Sequence, residues 1–305
     1  MPNKLISGVF AAVLTPRYAD DAVDVESLAG LIRFLLSKGI SSFAMNGATG
    51  EFCLTTPEQL RTILATVQQV SGGKAEILCG VGAGGAVRAK ELASIAEDAG
   101  VKGLLLPMPY FFPYQQEDLE LFCREVAAST QLPILLYNLP QFTSGLAKET
   151  VRRLIVEVPN IIGIKDSSGS LEILRDLTEH GVDACRIVGN DSALALALSE
   201  AVCDGVVSGV ACALPEVILE LYQSEPDSAN FVRATALLQD FIAQLDLFPT
   251  PWGLKWAAEA RGILRATFSQ PITEHRVEQH RALNMWMAEW LPAALVHQSA
   301  QKVSR

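Results

Sequence analysis

Lys165 ends a short apolar run, Ile161-Ile162-Gly163-Ile164-Lys165, and the chain then turns polar through Asp166-Ser167-Ser168-Gly169. That pattern describes a buried strand whose last inward position is a lysine, followed by a strand-to-helix loop. Burial penalises an ammonium and favours the neutral amine, which is a nucleophile toward carbonyl carbon and the group that forms Schiff bases. A competing reading is a lysine at a strand mouth whose head reaches water. Two other residues tilt the balance toward chemistry. Tyr137 ends the preceding apolar run, Ile134–Asn138, where a phenol is placed to shuttle protons beside an amine. Thr49, between Gly47 and Gly50, offers a hydroxyl and a closely approachable backbone to a carboxylate. An amine, a phenol and a carboxylate cradle together suit a 2-oxo acid; taken singly, Tyr137 also reads as a buried tyrosine bonding a loop carbonyl and Thr49 as a loop-stabilising hydroxyl.

These residues need a scaffold that gathers strand ends. From residue 8 the chain alternates apolar runs with amphipathic stretches. The runs are 9–14, 42–46, 77–81, 103–108, 134–138, 161–165, 186–189 and 205–210, and helix-like segments lie near 24–38, 57–71, 86–99, 115–128, 147–157, 170–180, 192–201 and 215–223. Continuously apolar strands alternating with helices imply a parallel sheet covered on both faces. Eight such units over residues 1–224 predict an α/β fold, a closed (β/α)8 TIM barrel. Thr56-Pro57-Glu58 reads as an N-cap followed by proline at the first helical position, and Ser170 precedes the helix of Leu171-Glu172. Residues 225–305 change character. They predict a C-terminal extension of three helices near 227–246, 252–263 and 272–297, with Pro249, Pro251 and Pro271 at the junctions.

Bulk properties narrow the function. The 305 residues are 50% hydrophobic and 19% charged, an ordinary globular balance, and the net charge of -10 argues against nucleic-acid binding. No apolar run is long enough to span a membrane and the N-terminus carries no signal-like segment, so the expected location is cytoplasmic. The six cysteines, at 53, 79, 123, 185, 203 and 212, form no CxxC pair and read as reduced core thiols. His180, His275, His280 and His297 avoid every predicted strand end, which weakens both a serine–histidine triad and a histidine-bound metal. Gly80, Gly82 and Gly85 match the dinucleotide fingerprint, but the next strand ends Leu105-Leu106-Pro107-Met108-Pro109 with no acid for a ribose.

The ordered set Thr15-Pro16, Gly47-Ala48-Thr49-Gly50-Glu51, Tyr137-Asn138-x-Pro140 and Gly163-Ile164-Lys165-Asp166 resembles the dihydrodipicolinate synthase / N-acetylneuraminate lyase family over nearly the whole chain. The resemblance implies a metal-free Schiff-base lyase with no cofactor beyond a covalent imine on Lys165. Tyr137 would then be the acid/base, Ala48 and Thr49 the carboxylate cradle, and Val207 the pyruvate end. It also implies a homotetramer or homodimer, pyruvate or a related 2-oxo acid as ligand, and no membrane or nucleic-acid partner. Ser167, Asp191 and Ser208 match positions that in the lyases contact hydroxyls of the aldehyde half, although helix capping and loop bonding explain such residues equally well; Gly189, at the end of the seventh apolar run, is a further substrate-binding candidate.

Departures from the synthase pattern shape the expected substrate. Ala48 and Phe111 stand where synthases carry a threonine and a second tyrosine of a proton relay. Phe142 lies in the stretch where they carry an arginine for the second substrate's carboxylate, and a phenyl ring cannot make a guanidinium's paired bonds. Gly84 and Pro57 fall where lysine-feedback residues are expected. The sequence therefore favours cleavage or formation of a C–C bond in a 2-keto-3-deoxy sugar acid, a sialic acid or 4-hydroxy-2-oxoglutarate over true dihydrodipicolinate synthesis. A 2-keto-3-deoxy acid dehydratase, a metal-dependent aldolase and a non-catalytic 2-oxo-acid-binding barrel are the alternatives.

Overall fold

Side-chain alternation along the strands decides which residues reach the centre of the molecule. In the computed structural model, which describes residues 4–301 and side chains up to 295, eight parallel strands close into one barrel in the order β1 to β8. The strands are β1 (Gly8–Ala12), β2 (Ser42–Met45), β3 (Glu76–Gly80), β4 (Gly103–Pro107), β5 (Ile134–Asn138), β6 (Ile161–Asp166), β7 (Cys185–Val188) and β8 (Gly205–Ser208). Between them run α1 (Val25–Ser37), α2 (Pro57–Ser71), α3 (Ala86–Asp98), α4 (Gln116–Ala127), α5 (Lys148–Glu157), α6 (Glu172–Glu179) and α7 (Leu194–Ser199), with α8 (Pro215–Gln223) after β8. The (β/α)8 barrel is thus present, and its closed sheet removes the open-sheet context that a dinucleotide fingerprint at Gly80–Gly85 requires.

Two apolar layers fill it. Phe10, Leu105, Leu135, Ile187 and Val207 point into the barrel, while their neighbours Ala11, Leu104, Leu136, Val188 and Val206 face the helices. Because successive strand residues alternate faces, Ile164 points outward and Lys165 inward, as does Tyr137 after Leu136. The strands read as continuous apolar runs because both faces are buried.

Local chemistry sets the helix starts. Thr56 caps α2 by accepting from the Gln59 N–H while Gln59 returns a bond to the Thr56 N–H, a capping box with Pro57 in the first turn. At α6 the helix begins two residues after Ser170, whose hydroxyl still accepts from the Glu172 N–H at 3.1 Å. After α8 come α9 (Ala229–Leu245), α10 (Trp252–Ala260) and α11 (Glu274–Gln301). Phe231, Leu238, Phe241, Trp256, Leu283 and Met287 from these helices join the same outer core as the barrel helices. Stacked Trp286 and Trp290 lie 4.6 Å apart beside Phe241. A buried carboxylate, Glu216 of α8, bolts the layers together: it accepts from Arg261 at 2.9 and 3.0 Å and pairs with Lys38 at 2.9 Å.

All six thiols are free, and four of them are buried as the sequence implied. Cys203 is half-buried, and Cys53 is a correction: it lies on a single 3₁₀ turn, Phe52–Leu54, and is exposed. His180 sits at the surface beside Arg152 and Asp176, His280 stacks on Trp256, and the His297 side chain lies beyond those described. Among the described residues no helix is long and apolar enough to cross a membrane, and no group of three His, Cys, Asp or Glu side chains is arranged to hold a metal ion.

Candidate active site

A cavity of about 280 Å³ opens at the C-terminal ends of the strands, the end of such barrels where loops converge. Lys165 forms part of its floor and is only 2% exposed. Strand pairing places Tyr137 directly beside Lys165, and on the other side Lys165 pairs with Ile187. The lysine Nζ lies 3.8 Å from the centre of the Tyr137 ring. The amine therefore faces the ring, a cation–π geometry, rather than the phenol oxygen that the sequence had suggested as its partner.

Gly189 is what leaves room for the lysine. A Cβ at this position would stand 2.1 Å from the Ser167 hydroxyl and 2.7 Å from the Lys165 Cε, so any side chain here displaces the lysine arm. Ala48, Thr49 and Val207 also line the cavity, as do Ser167, Asp191 and Phe142. The loop carrying Ala48 and Thr49 is folded back on itself, with the Glu51 N–H donating to the Ala48 carbonyl at 3.0 Å and the Phe52 N–H to that of Gly47 at 3.2 Å.

Ser208 is the one candidate that the structure moves out of the cavity wall. It is fully buried, and its hydroxyl accepts from the Ala211 N–H at 3.0 Å. Asp191 does reach the cavity. Asp191 Oδ2 accepts from the Val210 N–H at 3.0 Å, while Oδ1 is shielded from solvent with no protein partner. Burial pushes this carboxyl above the usual range, against the bonds from Ser208, Val210 and Gly209 and the attraction of Lys165. The Ser167 hydroxyl is likewise buried and unpartnered. Two residues of the cavity lining thus each keep a polar atom that nothing in the protein satisfies, the kind of group a hydroxylated ligand can pair.

Charge in the cavity is uneven. Among the residues lining it, Lys165 is the one cation, whereas Asp191 and Asp246 are both acidic. Phe142, 56% exposed, occupies the wall without a charged substitute. Phe111 is 86% exposed, sits at φ 85°, and does not line the cavity. The sequence missed the opposite wall altogether: Ile242, Leu245, Asp246 and Phe248 at the end of α9, and Pro249–Pro251 leading into α10. The proline pair was the only available signal of it.

A closed (β/α)8 barrel with an inward lysine amine beside a tyrosine at its C-terminal mouth defines the class of Schiff-base aldolases. The profile of the dihydrodipicolinate synthetase family matches residues 5–289, and the chain belongs to that family of carbon–carbon lyases. It is 30% identical over 284 residues to 4-hydroxy-tetrahydrodipicolinate synthase 1 of Halalkalibacterium halodurans, spanning 92% of this chain and 96% of that one. Among solved structures it resembles the 4-hydroxy-tetrahydrodipicolinate synthase of Methylacidiphilum fumariolicum SolV, with a TM-score of 0.85, 26% identity, and 95% and 98% of the two chains covered. It is equally similar to YagE of E. coli K12, a prophage protein of this family in complex with pyruvate: TM-score 0.85, 26% identity, 94% and 99% covered.

Proposed function

We propose that this chain is a Schiff-base lyase that cleaves or forms the C–C bond between a pyruvate unit and an uncharged, hydroxylated aldehyde. The observation that carries the reading is the pairing of one amine, Lys165, with the unpartnered Ser167 hydroxyl and Asp191 Oδ1 in a cavity whose described lining residues include no second cation. An aldehyde half bearing its own carboxylate meets Asp191, Asp246 and the Phe142 ring there instead of a guanidinium. That weighs against 4-hydroxy-2-oxoglutarate and in favour of 2-keto-3-deoxy sugar acids or a sialic acid. Pyruvate binding by YagE supports the pyruvate half.

In the cleavage direction the Lys165 amine adds to the C2 carbonyl, and the carbinolamine loses water to give an iminium. Loss of the proton from the C4 hydroxyl lets the C3–C4 bonding electrons flow into the iminium, releasing an aldehyde and leaving an enamine. Protonation at C3 and hydrolysis then free pyruvate and regenerate the amine. Tyr137, beside the amine, is the group for proton transfer at the carbinolamine oxygen and the C4 hydroxyl. Ala48 and Thr49 orient the carboxylate, Val207 packs at the pyruvate methyl end, and Gly189 keeps the lysine arm free. The iminium is itself the electron sink, so the cycle calls for neither metal nor cofactor, and activity is expected to survive chelation.

A second reading is 4-hydroxy-tetrahydrodipicolinate synthase itself, favoured by the name of the Halalkalibacterium halodurans relative; the Phe142 wall is the observation against it. The deciding experiment is incubation with pyruvate and borohydride followed by intact mass and peptide mapping. A stable adduct on Lys165, absent in Lys165→Ala, is expected; a folded protein that forms none is a non-catalytic barrel or an enzyme of other chemistry. Turnover with deoxy sugar acids against aspartate semialdehyde then separates the two readings.

A further inference from the structure

Lys255 is a second lysine that the fold buries. It lies in α10 within an apolar run and is 3% exposed. Its Nζ stands 2.5 Å from Glu51 Oε2, donates to the Thr267 carbonyl at 2.9 Å, and faces the Phe268 ring at 5.3 Å. Taking both charges out of water costs about as much as their attraction returns, so stability alone is a poor account of such a pair.

The position of Glu51 suggests another. It closes the loop that carries Ala48 and Thr49, and it does so at φ 55°, ψ 49°, a left-handed conformation unfavourable for a residue with a side chain. Something must hold it there. On the other side of the pair, Gly253 and Leu254, just before Lys255, line the same cavity. Leu254 and Thr49 converge on one point: a Cβ at Gly209 would meet Leu254 Cδ1 at 3.1 Å and the Thr49 hydroxyl at 3.3 Å. Buried Arg17 completes the knot. Its guanidinium is committed to Thr55, Gln59 and the Asp21 carbonyl, and its own carbonyl accepts from the hydroxyl of Thr267, the residue whose carbonyl binds Lys255. Neither Glu51 nor Lys255 lines the cavity.

We infer that the Glu51–Lys255 pair is a positioning device for the carboxylate end of the 2-oxo acid, holding the 47–51 loop in its binding conformation and fastening it to the α9–α10 wall. The inference rests on the Schiff-base reading above. Its test measures how much pyruvate gives half-maximal borohydride trapping in Glu51→Gln, Lys255→Met and the double variant, with thermal unfolding followed in parallel. Each is expected to need about tenfold more pyruvate while reaching the same final adduct on Lys165, since small displacements of an orienting group are costly. The double variant, which leaves no unpaired buried charge, is expected to be no worse than either single and decides the matter if a single fails to fold. Labelling by acetone, a ketone of similar size without a carboxylate, is expected to keep its wild-type rate. Unchanged pyruvate dependence in the double variant overturns the proposal. So does acetone labelling that slows by the same factor as pyruvate labelling, or a double variant that does not fold, which assigns the pair to stability. A wild-type protein that forms no adduct removes the Schiff-base reading and this inference together; an adduct that is indifferent to the pair removes this inference alone.

Discussion

Tyr137 and Lys165 share a strand register and a face, and the amine rests on the aromatic ring. Replacing the phenol by phenyl keeps that ring, so Tyr137→Phe is expected to preserve borohydride trapping while cutting turnover about a hundredfold or more, the usual worth of a positioned proton shuttle. Single-turnover kinetics beside the adduct yield checks the split. Asp191 carries a prediction of opposite sign for stability. Burial raises its folded pKa above the unfolded value, so its contribution is favourable in acid and is lost as pH rises through the folded value. Asp191→Asn, which removes the buried charge, is expected to raise the melting temperature at pH 8, with the gain shrinking toward pH 4. The same variant is expected to lose activity on hydroxylated substrates, measured as kcat/KM. Lys165 and Tyr137 stood out as polar residues closing apolar runs, whereas Asp191 was reached only through the family resemblance, with helix capping an equal explanation. Lys255 sits in the run Leu254-Lys255-Trp256 with a similar signature, yet it passed unnoticed because its partner, Glu51, is two hundred positions away in the chain. Ser208 fitted the same pattern but is buried behind the cavity wall with its hydroxyl on the Ala211 N–H, a distinction that depends on which way one hydroxyl points.

At the scale of elements, the barrel helices meet the C-terminal helices through Glu216. Burial would raise its pKa, but the bonds to Arg261 and Lys38 outweigh that and hold it below the ordinary value. A lowered folded pKa contributes stability that is complete above the unfolded value and is lost as pH falls through the folded one. Glu216→Gln strands Arg261 in a buried site and is expected to cost about 3 kcal/mol near neutrality, less in acid; urea unfolding at several pH values checks both. The barrel strands and helices were readable to within two residues, and β5 and α2 coincide with their expected spans because apolar runs and capping residues are local properties. What the end of α9 and the Pro249–Pro251 turn would do was not readable. Their side chains are unremarkable in sequence and become a cavity wall only because the chain doubles back over the barrel mouth.

For the whole molecule, exposure ranks the thiols. Cys79 and Cys212 are fully buried and pushed up to about 12, and Cys123 is raised by burial as well, whereas Cys53 is exposed. A chromogenic disulfide reagent is therefore expected to modify Cys53 first in the native protein and the buried thiols only on unfolding; prompt reaction of Cys79 or Cys212 would contradict the packing. The barrel also has a seam. Gly8 through Ala11 pair with Gly205 through Ser208, so the first strand finds one of its two neighbours only in the last. On the ribosome, β1 must wait with an open edge until β8 has been made, and Lys165, on β6, emerges before the ring around it can shut. Non-local pairings of this kind are slow to form and leave sticky edges in the interval. The consequence is temporal: Lys165 is synthesised into an unfinished sheet, and the newborn chain is most open to misassembly just before its final strand arrives.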